Sequence, residues 1–101
     1  MFKIRKAKKE DMAKLVKVEM SSGYHKKKFN FESYLQELFK KNTEFFCSEE
    51  KENLNGYITL SKNGEIGFLA VSKKFQGKGI ANMLLKKSFL LLNEKKLKNY
   101  F

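Results

Sequence analysis

The chain has 101 residues, 42% of them hydrophobic and 14% aromatic, with a formal net charge of +11. That apolar and aromatic content excludes a disordered tail, and the length allows one modest core. No apolar run approaches the ~20 residues of a membrane span, and the alternating N-terminus is unlike a signal peptide. From its start, Phe2-Lys3-Ile4-Arg5 alternates at period two and predicts a short strand. Met12, Leu15, Val16 and Met20 keep helical spacing, and Ser21-Ser22-Gly23 stops that helix. After the basic connector Tyr24-His25-Lys26-Lys27-Lys28, Asn30 can cap a second helix. Its apolar stripe is Phe31, Tyr34, Leu35, Leu38 and Phe39, read as core. Phe45 to Ser48 predicts a strand, Glu49 to Asn53 a charged turn, and Leu54 to Ser61 the next strand. Asn63-Gly64 predicts a two-residue hairpin turn, which makes Glu65 to Ser72 the antiparallel partner of Leu54 to Ser61. From Ile80 to about Leu97, apolar positions at Ile80, Met83, Leu84, Leu91 and Leu92 predict a long helix, with Lys86 and Lys87 outward. The order strand, helix, helix, three strands, helix predicts an α+β fold, helices packed on a mostly antiparallel sheet.

The charge is uneven: +7 over residues 1–41, −1 over residues 42–75 and +5 over residues 76–101. A basic surface attracts nucleic acid, acidic lipid or phosphorylated cofactors. However, 21 of the 22 basic residues are lysine, with Arg5 the only arginine. Base and phosphate recognition favours the arginine fork, so a small nucleic-acid-binding module is the least favoured reading. The single cysteine, Cys47, can form no internal disulfide, which suits a reducing, cytoplasmic setting. As a nucleophile it would need His25, the only histidine; a buried small side chain on a strand is the preferred reading.

"FQGKGIANMLL", residues 75–85, concentrates glycine just before the long helix. A dinucleotide fingerprint would need glycine or alanine where Asn82 stands, and a Walker loop would need Ser or Thr where Gly79 stands. What remains is a strand-loop-helix in which Gly77, Gly79 and Ala81 would let an anion approach the backbone, with Lys78 adding charge nearby. The first amides of the helix lack intrahelical partners and carry the positive end of its dipole, which suits a pyrophosphate. A flexible turn before a tightly packed helix explains the same spacing equally well.

"AVSKKFQGKGIANMLL" resembles the acetyl-CoA-binding motif of the GNAT acetyltransferase superfamily, Gln/Arg-x-x-Gly-x-Gly/Ala, here Gln76, Gly79 and Ala81. The element order and the opening "IRKAKKEDMAKLVKV" are similar to that family too, so the resemblance covers nearly the whole chain as one acetyl-CoA-binding domain. It implies an N-acetyltransferase that moves an acetyl group from acetyl-CoA to a small-molecule or protein amine. The backbone of Leu69, Ala70 and Val71 would pair with the pantetheine arm, and Gln76, Gly77, Lys78, Gly79, Ile80 and Ala81 would hold the pyrophosphate. Glu65 in "GEIGFLAV" lies where histone-type members place a general base; an exposed hairpin carboxylate is the competing reading. Tyr24, His25 and Phe29 fall in the connector that borders the acceptor site in relatives.

Family members continue with a fifth strand, a fourth helix often bearing the tyrosine that protonates the thiolate, and a closing hairpin. This chain stops at Asn99-Tyr100-Phe101, where the fifth strand would begin. The expectation is therefore a C-terminally incomplete GNAT-like domain, with Ile66, Phe68, Leu69 and Val71 on or near an open edge that a second copy covers as a homodimer. A non-catalytic relative that binds CoA or dimerises is the alternative from another class.

Overall fold

The computed structural model describes residues 2–23, 31–41 and 43–100, the last seven by backbone alone. The elements are β1 (Lys3–Lys6), a 3-10 turn (Lys9–Asp11), α1 (Met12–Ser21), α2 (Phe31–Lys40), β2 (Glu44–Glu50), β3 (Asn53–Leu60), β4 (Ile66–Val71), a second 3-10 turn (Lys73–Phe75) and α3 (Ile80–Tyr100). The four strands form one antiparallel sheet in the order β1-β2-β3-β4, within the expected α+β class.

Helices cover both faces, which explains why β2 and β3 read as nearly continuous apolar runs. Phe45, Cys47, Tyr57 and Ala70 point to one side, where they pack with Met12, Leu15 and Val18 of α1 and Phe31 and Leu35 of α2. Phe46, Ile58, Leu60 and Val71 point to the other, beneath Ile80, Leu84 and Leu92 of α3. Cys47 is fully buried, and burial pushes its thiol up to about 11, away from nucleophile chemistry. In the predicted apolar stripes, Met20 and Tyr34 are instead 45% and 41% exposed. Tyr34 lies at the rim, its ring edge-on to Phe68 at 5.6 Å.

The N-terminal third is tied down by charge. Arg5 donates two bonds to the Asp11 carboxylate, at 2.8 and 3.1 Å, and one to Glu49 at 3.1 Å. Lys8 N–H donates to the same aspartate at 2.7 Å. One guanidinium thus joins β1, β2 and the start of α1, and it holds the Asp11 carboxyl below its ordinary value.

The two hairpins reverse the turn expectation. Glu50 pairs with Asn53, so Lys51 and Glu52 alone form the β2–β3 turn, at φ values of 51° and 70°. Positive φ at both central residues is the two-residue primed turn whose twist matches the strands. Glu49, Glu50 and Asn53, expected in the turn, are ladder residues. At Asn63-Gly64 only Gly64 takes a positive φ, 84°. Its N–H donates to the carbonyl of Ser61 at 2.9 Å, and Ser61 N–H donates to the carbonyl of Glu65 at 2.9 Å. The loop is therefore three residues, Lys62 to Gly64, with glycine in the left-handed position.

Candidate functional site

Strand β4 is an outer strand, and its ladder has a definite phase. Gly56 pairs with Val71, and Ser72 N–H donates to the Asn55 carbonyl at 2.8 Å. Alternation in an antiparallel ladder then turns the backbone groups of Ala70 toward β3 and those of Leu69 and Val71 away from it. Farther back, Phe68 N–H donates to Thr59 Oγ1 at 2.8 Å instead of to a ladder carbonyl. The register shifts here because β4 carries an extra residue, a bulge. A Cβ on Gly67 would meet Thr59 Oγ1 at 2.6 Å, so glycine is what lets this hydroxyl reach the strand.

After the 3-10 turn the chain enters the glycine loop. Gly77 and Gly79 adopt φ values of 83° and 82°, and a Cβ at either would meet nothing within 4 Å. The glycines therefore serve the left-handed backbone and leave open space above it. The first helical bond runs from Met83 N–H to the Gly79 carbonyl at 3.1 Å, which leaves the amides of Ile80, Ala81 and Asn82 without intrahelical acceptors. Ile80 and Leu84 are buried and anchor the helix start against Gly56, where a Cβ would stand 3.1 Å from each. Lys78 is exposed, its Nζ 5.3 Å from the centroid of the Phe75 ring. The helix start thus has three amides without intrahelical acceptors, open space at the two glycines and one exposed cation beside them, which suits an anion.

The structure redistributes the residues expected there. Gln76 directs its amide inward: Nε2 donates to the Val71 carbonyl at 2.9 Å and to the Ser22 carbonyl at 3.2 Å. Ile80 can offer a ligand only its N–H, since its side chain is core. Ala70 turns its backbone toward β3 and packs its side chain in the core. Among the expected edge side chains, Ile66 and Leu69 are 48% and 37% exposed, whereas Val71 is buried and Phe68 packs edge-on to Phe31 at 5.1 Å. Glu65 is exposed beside the hairpin, its N–H donating to Ser61 Oγ at 3.1 Å. It stands at the far end of β4 from the glycine loop, and the six extended residues of that strand span about 20 Å. Tyr24, His25 and Phe29 lie outside the described residues.

Two buried polar pairs were not anticipated. Tyr57 Oη donates to Glu19 Oε1 at 2.6 Å, both residues buried. Glu19 follows Leu15 by four on the apolar face of α1, so a carboxylate on that stripe was the available signal. Ser48 Oγ donates to Asn55 Oδ1 beside the β3 bulge, and Asn55 Nδ2 is the one buried side-chain polar atom without a partner among the described residues.

A four-stranded antiparallel sheet between helices, with an outer strand that runs into a glycine loop opening a long helix, is the architecture of an α+β acetyltransferase fold. Solved structures share this fold. A GNAT family acetyltransferase from Brucella melitensis in complex with acetyl-CoA superposes with a TM-score of 0.74 at 21% identity, covering 94% of this chain and 70% of that one. The PaiA N-acetyltransferase from Thermoplasma acidophilum in complex with coenzyme A gives 0.70 at 21%, covering 95% and 74%. A ribosomal-protein-alanine N-acetyltransferase from Brucella melitensis biovar Abortus gives 0.74 at 19%, with coverage of 95% and 74%. The sequence profile of the acetyltransferase (GNAT) domain matches residues 7–99, and the chain belongs to the GNAT family. No curated protein matches the sequence. Among the described residues no helix is long and apolar enough to cross a membrane.

Proposed function

We propose that this chain transfers an acetyl group from acetyl-CoA to an amine. The observation that carries the reading is the open glycine loop at the start of α3, continuous with the free outer edge of β4. The unpartnered amides at the start of α3 and the open space at Gly77 and Gly79 suit a pyrophosphate, and the outward groups of Leu69 and Val71 suit an extended, amide-containing arm. The ~20 Å span of β4 between the loop and Glu65 calls for such an arm, because the phosphates and the reacting carbonyl would lie far apart. Bound there, acetyl-CoA supplies the activated acyl group. Transfer forms a C–N bond and breaks the thioester C–S bond, so the acceptor ammonium must lose a proton first. Glu65, solvent-exposed and at the far end of the strand, is our candidate to take it, directly or through a water.

The acceptor is a small-molecule or protein amine, with Tyr24, His25 and Phe29 on the connector as the candidate acceptor-side residues. The free, buried thiol of Cys47 accords with a cytoplasmic setting. The chain is read as one acetyl-CoA-binding domain that assembles as a homo-oligomer through the Ile66 end of the β4 edge. The exposure of Glu65 favours a second reading, a relative that binds CoA without turnover. Calorimetry with acetyl-CoA tests the binding that both readings share, and no heat at millimolar ligand would defeat both. Release of CoA in the presence of a panel of amines separates the enzyme from the binder.

A further inference from the structure

We infer that Gln76 is a positioning residue that ends the usable edge of β4 at Val71 and turns an extended ligand off the strand into the glycine loop. The inference rests on the acetyl-CoA reading given above. Both bonds from Nε2 go to main-chain carbonyls on different elements: Ser22 at the end of α1 and Val71 at the end of β4. A primary amide carries two N–H donors on one nitrogen, so these two acceptors use its full donor capacity. Gln76 therefore has no N–H left for a phosphate, and the loop it begins is pinned to both neighbouring elements.

The second consequence concerns register. Past the bulge, the ladder phase leaves four backbone groups on the outer edge: the N–H and C=O of Leu69 and of Val71. Gln76 takes the Val71 carbonyl. What remains for an added chain is both groups of Leu69 and the N–H of Val71, so edge pairing runs out at Val71. The loop that begins after Gln76, with open space at Gly77 and Gly79 and unpartnered amides at the start of α3, comes next along the chain. A ligand with an amide-bearing arm and a polyanionic end thus has its register set by one side chain, with the arm on Leu69 and Val71 and the anion on Gly77 to Ala81.

The experiment uses the full chain, with acetyl-CoA as the probe. Gln76→Glu removes both donors and sets a carboxylate against two carbonyl oxygens, whereas Gln76→Arg keeps N–H donors that can bridge them. Calorimetric Kd is expected to rise about tenfold or more in Gln76→Glu and to stay within about threefold of wild type in Gln76→Arg. Thermal unfolding verifies that both variants fold. Hydrogen exchange by NMR separates positioning from direct contact. Saturating acetyl-CoA should slow exchange at the Leu69 and Val71 amides and leave exchange of the Gln76 side-chain amide protons unchanged. Wild-type affinity in a folded Gln76→Glu, or a Gln76 side chain whose exchange changes on binding, would overturn the inference while the functional reading stands. Wild-type protein that fails to bind acetyl-CoA would overturn both.

Discussion

The hydroxyl of Tyr57 on β3 and the carboxylate of Glu19 on α1 meet at 2.6 Å, both side chains buried, and join the central sheet to the first helix. Burial and the neighbouring carboxylate together push the phenol above its ordinary value of 10.0. A pKa raised on folding means that the folded state favours the neutral phenol. The associated stability is complete below pH 10 and declines as pH rises beyond it. Thermal unfolding followed from pH 8 to 11 should therefore show wild type losing Tm faster than Tyr57→Phe above pH 10. At pH 8 Glu19→Ala, which leaves a buried hydroxyl unpartnered, should cost about 1–3 kcal/mol. Parallel pH curves for wild type and Tyr57→Phe would show that the pair does not govern the alkaline limb.

Two glycines near α3 should fail in opposite ways. Gly79 has φ +82° and open space around it, so Gly79→Val costs about 1–2 kcal/mol of backbone strain and blocks the approach of an anion. Acetyl-CoA affinity should fall by about tenfold or more with the fold kept. Gly56 has ordinary φ but no room: a Cβ would stand 2.9 Å from Ser48 Oγ and 3.1 Å from Ile80 and Leu84. Gly56→Ala should lower stability by about 1–3 kcal/mol through overpacking. Calorimetry beside thermal melts of the two variants distinguishes the outcomes. Unchanged affinity in a folded Gly79→Val would remove the loop from the binding site.

If Glu65 accepts the proton from the acceptor amine, Glu65→Gln should slow turnover mainly below the pH at which the amine deprotonates by itself. The rate should recover as pH rises. A pH–rate profile of wild type and variant with one amine acceptor reads this directly. Superimposable profiles would leave Glu65 as a solvated hairpin carboxylate.

The outer edge of β4 combines free backbone groups with Ile66 and Leu69, 48% and 37% exposed. Neither proline nor charge interrupts residues 66–71, and such an edge readily recruits another chain. Light scattering at micromolar concentration should give a dimer or larger species, with Ile66→Lys and Leu69→Lys each shifting it toward monomer. A monomeric wild type whose amides in residues 66–71 exchange rapidly would rule out assembly through this edge.

Much of the fold could be read without coordinates because the determining patterns are local. Apolar spacing on Met12 and Leu15, on Phe31 and Leu35, and on Ile80 and Leu84 specifies helices whose buried faces need a partner. The apolar runs at residues 45–47 and 57–60 specify strands, and the glycines at 77 and 79 mark a backbone that only a residue without Cβ adopts at no cost. The hairpin turns were decided elsewhere. Lys51 and Glu52 have no intrinsic preference for positive φ. They hold it because the paired strands on either side, with Glu50 opposite Asn53, leave two residues to reverse the chain. At Asn63-Gly64 the bonds between Ser61 and Glu65 set a longer loop, and asparagine's tolerance of the left-handed region went unused. The same holds at the site. Sequence indicated that Gln76 belongs to the loop. Its inward bonds to Ser22 and Val71, 54 and 5 residues away, exist only because the sheet brings the end of α1 beside the end of β4. Hydrogen-bond direction, ladder phase and the pairing of Glu19 with Tyr57 depend on distances between elements remote in sequence. For that reason tertiary structure alone decided them.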